Sequence, residues 1–266
     1  MKHSWVLTCI VIALCFALVG CSSSEQKTAD SGEKPSVPQQ SGTTSIPEDA
    51  GLKKTDVKVG TGATVENGDL AYVEYTGTLT NGKQFDSNVG KDPYPVTVGA
   101  GQVIKGWDLG LVGMKVGGER KLQIPSSLAY GANAQGEIPP NSQLNFDLKL
   151  LGLVKAGEEN VVDEKTLKPG SGSRQVKEGD TIEVEYSGRL VNGKEFDNSE
   201  KHGQPLKFKV GASQVIPGMD KGVLGMKLGE SRQLTIPPAV GYGPVPQGEI
   251  PANSLLMFIV KLVSIK

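Results

Sequence analysis

From Ile182 to Leu190 the chain alternates. Ile182, Val184, Tyr186 and Leu190 are apolar or aromatic, and Glu183, Glu185, Ser187 and Arg189 between them are polar, the period of a strand with one buried face. Val73, Tyr75 and Leu79 repeat the pattern in an earlier stretch. Leu144, Phe146, Leu148 and Leu150 do so again, set against Asn145, Asp147 and Lys149. Asn81-Gly82 and Asn192-Gly193 predict tight hairpin turns in which both central residues take positive φ. One segment changes period: Val103, Trp107, Leu111 and Met114 fall at helical spacing. At the equivalent of Lys105 a later copy carries Pro217, which a helix tolerates in its first turn, where the missing N–H has no intrahelical partner. The pattern predicts an α+β fold in which an antiparallel sheet packs on one short helix.

The chain spells this arrangement twice. "VEYTGTLTNGKQFDS" from Val73 returns as "VEYSGRLVNGKEFDN" from Val184, and "GMKVGGERKLQIP" from Gly113 returns as "GMKLGESRQLTIP" from Gly225. "QVIKGWD" from Gln102 returns as "QVIPGMD" from Gln214, and "QGEIPPNSQLNF" from Gln135 as "QGEIPANSLLMF" from Gln247. Tyr75 and Tyr186 are 111 positions apart and Phe146 and Phe258 are 112 apart, so one residue is inserted in the second copy, in the loop after Asp86/Asp197. A repeat this long is a duplicated domain and not a solenoid unit. The units run over residues 52–154 and 161–266, joined by the short charged linker 155–160, whose brevity implies a restricted relative orientation.

The N-terminal segment has another character. After Lys2 and His3 the chain is apolar to Gly20, meets Cys21, and continues as three serines. This reads as a secretion signal over residues 1–20, and Leu18-Val19-Gly20-Cys21 resembles a bacterial lipoprotein signal, whose cysteine is lipidated and becomes the new N-terminus. The resemblance implies export and lipid anchoring through Cys21, on the periplasmic face of the outer membrane where the source has two membranes and on the cell-membrane surface otherwise. Residues 21–51 hold the lipidated cysteine and a tether rich in Ser, Gln, Pro and Thr without apolar periodicity. As a flexible chain it spans on the order of 30 Å.

Composition then removes whole classes of chemistry. Only three cysteines exist, Cys9, Cys15 and Cys21, and the first two leave with the signal, so disulfides and thiol nucleophiles drop out. The two histidines are His3 in the signal and His202 in the polar stretch "NSEKHGQP", read as a solvated loop residue; histidine triads and multi-histidine metal cages are excluded. A net charge of −1 without a Lys/Arg-rich block argues against a nucleic-acid surface. "GTLTNGKQ" approaches a phosphate-binding loop, but Gln84 stands where a magnesium-binding hydroxyl is needed, and a hairpin explains its glycines. The chemistry is expected to need neither metal nor cofactor.

What remains is a gathering of aromatic residues from separate elements: Tyr75, Phe85, Trp107, Tyr130 and Phe146, with Asp86 beside Phe85. Singly each reads as a core residue, and Asp86 as a turn group. Together with "VGAGQVIKGWDLGLVGMKVGGER", "AYG" and "GEIPP", they make both units similar, over nearly their whole length, to FKBP-type peptidylprolyl cis-trans isomerases, the macrolide-binding immunophilins. The resemblance implies two tandem domains, each a twisted antiparallel sheet wrapped around a short helix with an apolar pocket between. It implies a first pocket floored by Trp107 and walled by Tyr75, Phe85, Tyr94, Val103, Ile104, Ile138 and Phe146. There the Ile104 N–H and Tyr130 hydroxyl would donate to a bound peptide and Asp86 would lie near the twisting amide. The second pocket would use Tyr186, Phe196, Asp197, Leu206, Val215, Ile216, Met219, Tyr242, Ile250 and Phe258. The implied activity is rotation about X-Pro bonds in exported polypeptides by a monomer that also takes macrolide inhibitors, with the first unit the better catalyst because Met219 and Leu206 replace Trp107 and Tyr94. The alternative is a non-catalytic lipoprotein that binds prolyl peptides bivalently. Two features depart from the family pattern: the shorter loop "AYGANAQGEIPP" and the lack of Arg after each Phe-Asp pair.

Overall fold

The alternating stretches form the longest strands of a computed structural model that describes residues 51–266; the signal, Cys21 and the tether to Ala50 lie outside the described residues. In the first unit the strands are β1 (Lys53–Lys58), β2 (Leu70–Leu79), β3 (Gln84–Ser87) and β4 (Tyr94–Thr97). Helix α1 (Lys105–Leu111), β5 (Glu119–Ile124) and β6 (Leu144–Val154) follow. They make one antiparallel sheet in the order β1-β5-β6-β2-β3, with β4 also paired to β2.

The second unit repeats this with β7 (Asp163–Lys168), β8 (Ser171–Gln175), β9 (Thr181–Leu190), β10 (Glu195–Asn198) and β11 (Leu206–Lys209). Helix α2 (Pro217–Gly222), β12 (Lys227–Leu228), β13 (Ser231–Ile236) and β14 (Leu256–Ile265) complete it. Its sheet runs β10-β9-β14-β13-β7, β11 pairs β9, and β8 and β12 form a small separate pair.

The apolar faces read from the sequence are the buried ones. Leu144, Phe146, Leu148 and Leu150 on β6 and Ile182, Val184 and Leu190 on β9 are all buried. Each sheet closes over its helix because two glycines let the helix backbone sit directly on side chains of the sheet: a Cβ at Gly106 or Gly110 would lie 2.3 Å from the Ile124 side chain or 2.4 Å from that of Leu122. Arg120, buried on β5, seals the end of α1 by donating to the carbonyls of Gly110 and Val112 at 2.8 and 3.0 Å while pairing with Asp56 at 2.6 Å. Arg232 on β13 repeats this toward Gly222 and Leu224.

Two local expectations need correction. Only Gly82 and Gly193 take positive φ; Asn81 and Asn192 do not. In each hairpin three residues form the loop, closed by Leu79 N to Lys83 O and Leu190 N to Lys194 O, both 2.9 Å, and the Asn side chain accepts from the residue after the glycine. A three-residue loop with its glycine in the left-handed region suits the strand twist as well as the two-residue turn does. The helix is also shorter than its apolar spacing: Val103 precedes α1 and Met114 follows Gly113, whose φ of 82° ends the run.

Linker 155–160 is anchored at its start. Asp69, 1% exposed, accepts from Lys155 Nζ at 2.8 Å and from the Ala156 N–H at 2.9 Å. Tyr72 faces away from the core of its own unit and packs with Val154, Leu70, Val191 and Leu255, and its hydroxyl donates to Asn253 O of the second unit at 2.9 Å.

Candidate functional site

In the first unit Tyr75 on β2, Phe85 and Asp86 on β3, Tyr94 on β4, Trp107 on α1 and Phe146 on β6 converge. With Gln102, Val103, Ile104 and Tyr130 they line a cavity of about 200 Å³. Trp107, 4% exposed, is the hub, with ring centroids 5.0 Å from Tyr75, 5.2 Å from Phe146 and 6.3 Å from Tyr94, all near-perpendicular. The indole is packed on most sides yet still floors the cavity. Gly77 makes room for the ring pair beside it, since a Cβ there would lie 2.6 Å from Phe85 and 2.9 Å from Phe146.

Donors and acceptors sit unevenly around this apolar box. The Tyr75 hydroxyl donates to Asp86 Oδ2 at 2.6 Å, so this pair satisfies itself. Burial, then the Asp86 hydrogen bond and charge, push the Tyr75 phenol well above its usual range; burial and the Asp86 charge raise Tyr130 too, and both hydroxyls keep their protons. Among the described residues no hydrogen bond engages the Tyr130 hydroxyl, the Ile104 N–H or the buried Trp107 indole N–H. Tyr130 and Ile104 thus offer donors to a ligand.

Asp108, absent from the expected site, holds this geometry from behind: its carboxylate accepts from the N–H of Gly99 at 2.8 Å and of Gly101 at 3.1 Å, pinning the loop that leads into Val103 and Ile104 to α1. The signal was available, since the last letter of "QVIKGWD" survives in "QVIPGMD". Asp220 makes the matching bond to Gly211 at 3.1 Å.

The second unit assembles Tyr186, Phe196, Asp197, Leu206, Val215, Ile216, Met219, Tyr242, Ile250 and Phe258 around a cavity of about 490 Å³, with Gln214 and the turn Gln247–Glu249 added. Met219 and Leu206 leave open the space that Trp107 and Tyr94 fill. Ile250 lines this cavity from the core and is 6% exposed, as is its counterpart Ile138 in the first unit. Tyr186 donates to Asp197 Oδ2 at 2.5 Å, repeating the Tyr75–Asp86 pair. Among the described residues no group of three or more His, Cys, Asp or Glu is arranged to hold a metal ion.

These two aromatic boxes, each built on a glycine-packed helix under a twisted sheet, match a known design. The family model described as FKBP-type peptidyl-prolyl cis-trans isomerase matches residues 62–151 and 172–263. The chain belongs to that family. It is 37% identical over 202 residues to the rat peptidyl-prolyl cis-trans isomerase FKBP9, a match covering 75% of this chain and 35% of the relative, and 38% identical over 204 residues to bovine FKBP10, covering 76% and 35%. FK506-binding protein 4 of Chaetomium thermophilum is 56% identical over 101 residues, 38% of this chain and 21% of that protein. The chain thus spans about a third of the length of the FKBP9 and FKBP10 relatives. Among solved structures, the three FKBP domains of wheat FKBP73 align over 84% of this chain and 98% of that one, at 28% identity and a TM-score of 0.40. FkpA from Escherichia coli aligns over 40% and 48%, at 40% identity and 0.37.

Proposed function

We propose that this FKBP-family chain catalyses cis-trans rotation about X-Pro bonds, that both pockets bind prolyl segments, and that the first turns over faster. The observation that carries the reading is the open box around Trp107: an aromatic floor and walls, with the Ile104 N–H and Tyr130 hydroxyl unengaged at its edge.

Rotation is slow because amide resonance must be lost, at a barrier of about 18–20 kcal/mol, and no covalent bond need break. The twisted amide has a less polar carbonyl and a more pyramidal nitrogen than either planar isomer. An apolar box that strips water from the carbonyl and grips the proline ring favours it, provided donors hold the peptide on either side. In this scheme Trp107, Tyr75, Phe85 and Phe146 enclose the ring, Ile104 N–H and Tyr130 Oη take peptide carbonyls, and Asp86, already bonded to Tyr75, presents negative charge beside the rotating group. A combined stabilisation of about 4–6 kcal/mol would accelerate rotation roughly a thousandfold or more. The second pocket keeps the matching Tyr186, Asp197 and Tyr242, but its floor is a flexible thioether and its volume more than twice as large, so it grips a proline less closely.

We place this activity on exported polypeptides, with the chain anchored through lipid on Cys21; the support is the residue pattern around that cysteine. Macrolides that fill the same box would act as competitive inhibitors. The test is isomerisation of X-Pro peptides by the full chain beside Trp107→Ala, Tyr130→Phe and Asp86→Ala, with peptide binding measured in parallel. Turnover lost while binding survives supports catalysis at this box. Binding by the wild-type chain with no acceleration of rotation would leave a bivalent prolyl-peptide binder, for which two pockets in one chain give avidity.

A further inference from the structure

We propose that His202 is a positioning residue of the second pocket, whose charge sets how firmly Asp197 is held and thereby how tightly that pocket binds a prolyl peptide; this rests on reading the pocket as a prolyl-peptide site. The residue inserted in the second copy creates the arrangement. After Asp86 the first unit makes a turn held by Asn88, whose side chain accepts from Tyr75 N at 2.7 Å and donates to Asp92 O at 3.0 Å. After Asp197 the longer loop winds into a 3₁₀ turn over Ser199–His202, begun by the Asn198 side chain accepting from Lys201 N at 2.8 Å and ended by Gly203 with φ 71°. That turn carries His202 back over the pocket rim, where Nε2 lies 2.9 Å from Asp197 Oδ1.

Asp197 is therefore gripped on both oxygens. Oδ1 meets His202 and the Asn198 N–H at 2.9 Å, and Oδ2 takes the Tyr186 hydroxyl. Among the described residues Asp86 has only the Tyr75 hydroxyl. Burial raises Asp197, but the bonds from Tyr186, His202 and Asn198 outweigh it and hold the carboxyl below the usual range, so it stays charged. The imidazolium donates a charge-assisted bond to Oδ1, whereas the neutral ring donates a weaker one or turns a lone pair toward it.

The surrounding groups do not compete for this place. On β9, Tyr186 donates to the same carboxylate and Arg189 pairs with Glu195 of β10 at 3.2 Å. On the 3₁₀ turn, Lys201 lies 3.9 Å from Glu195, and Glu200 is the remaining acid. Tyr242 contributes a protonated hydroxyl that senses the Asp197 charge. Among the described residues His202 is the one basic side chain within ion-pair distance of Asp197. The two side chains are 57% and 36% exposed, so water screens the pair and the effect is expected to be about two- to fivefold in affinity.

The test titrates an X-Pro tetrapeptide into the full chain at about pH 5.5 and pH 8. The Met219 methyl reports the second pocket, the Trp107 indole N–H reports the first, and the Tyr186 ring reports the unliganded pair. The expected result is tighter binding at the lower pH seen by Met219 but not by Trp107, with the Tyr186 ring signal following pH before peptide is added. His202→Arg, which keeps the charge, should bind tightly at both pH values; His202→Ala should bind weakly at both and leave the Tyr186 signal flat. Saturable Met219 shifts with an affinity that ignores pH, or a pH dependence that survives His202→Ala, overturn the role of His202 and leave the pocket's reading standing. If peptide never shifts Met219, both fall together.

Discussion

Arg120→Met tests how the sheet holds the helix that carries the Trp107 floor. The guanidinium is buried, donates to Gly110 O and Val112 O at the end of α1, and pairs with Asp56 through Nε and Nη2 at 2.6 and 3.2 Å. Methionine fills much of the same volume but strands two carbonyls. Gly110 is buried and Val112 half-buried, and a buried acceptor left unpaired costs about 1–3 kcal/mol, less where water reaches it, so the first unit should lose about 2–4 kcal/mol. Asp56 adds little to this sum. Its side chain is 44% exposed and rehydrates when freed, so Asp56→Asn alone should cost under about 1 kcal/mol. The sign with pH follows from the same pair: the hydrogen bond from Arg120 holds the Asp56 carboxyl below its usual range. Its contribution is therefore present above the unfolded carboxylate value, about pH 4, and is lost as pH falls through the lower folded value. Urea unfolding followed by Trp107 emission in a Trp5→Phe background reads the first unit, and amide exchange on β13, where Arg232 makes the parallel contacts, serves as internal control. A loss under about 0.5 kcal/mol, which is ordinary surface scatter, or an Asp56→Asn cost as large as that of Arg120→Met, refutes the assignment of the energy to the helix end.

Three further outcomes are expected. Gly77→Ala pushes a Cβ into Phe85 and Phe146 and should cost about 1–3 kcal/mol, with a matching fall in first-pocket turnover, measured by unfolding and by peptide isomerisation. Tyr72→Phe removes the bond to Asn253 O and should cost about 1 kcal/mol, visible as faster amide exchange at the contact between the units, with little change inside either pocket. Asp69→Asn should loosen the start of the linker. Burial raises the Asp69 carboxyl, but the bonds from Lys155, Ala156 and Glu66 more than offset it and leave the group lowered, so its stabilisation is present above about pH 4 and fades as pH falls; a wild-type acid-denaturation profile that the variant merely reproduces would contradict this.

The faces of the sheets were legible in the chain because a strand's period is two and one side must be dry; β6 and β9 bury the residues that alternation names, apart from Tyr186, which is half-buried at the second cavity. The aromatic box was legible through resemblance, and its members do converge. Tyr72 was not. It sits next to Val73, across a register irregularity between β2 and β6, so a buried position falls on the side alternation marks as wet, and its partner Leu255 belongs to the other unit. His202 looked like a solvated loop residue, and by exposure it is one; its bond to Asp197 arises only because one extra residue winds the loop into a turn.

The duplication kept the frame and changed the lining. The arginine that seals the helix end, the glycines under the sheet, the aspartate that ties the helix to the preceding loop and the Tyr–Asp pair occur in both units, though Asp220 keeps only the Gly211 bond and Arg232 pairs with Glu164 and Glu230 where Arg120 pairs with Asp56. The floor, one wall and the loop after the aspartate differ: Trp107 against Met219, Tyr94 against Leu206, and the Asn88 turn against the 3₁₀ turn of His202. Helix, sheet and rim donors stand alike in both units, so the floor is the most direct place for a difference in turnover between the pockets to originate. Exchanging Trp107 and Met219 between the units should therefore move activity with the indole and leave each fold intact. An indole on the α2 position also regains neighbours in Tyr186 and Phe258, whose ring centroids already lie 6.2 Å apart, so the second cavity can close around it without rebuilding the sheet.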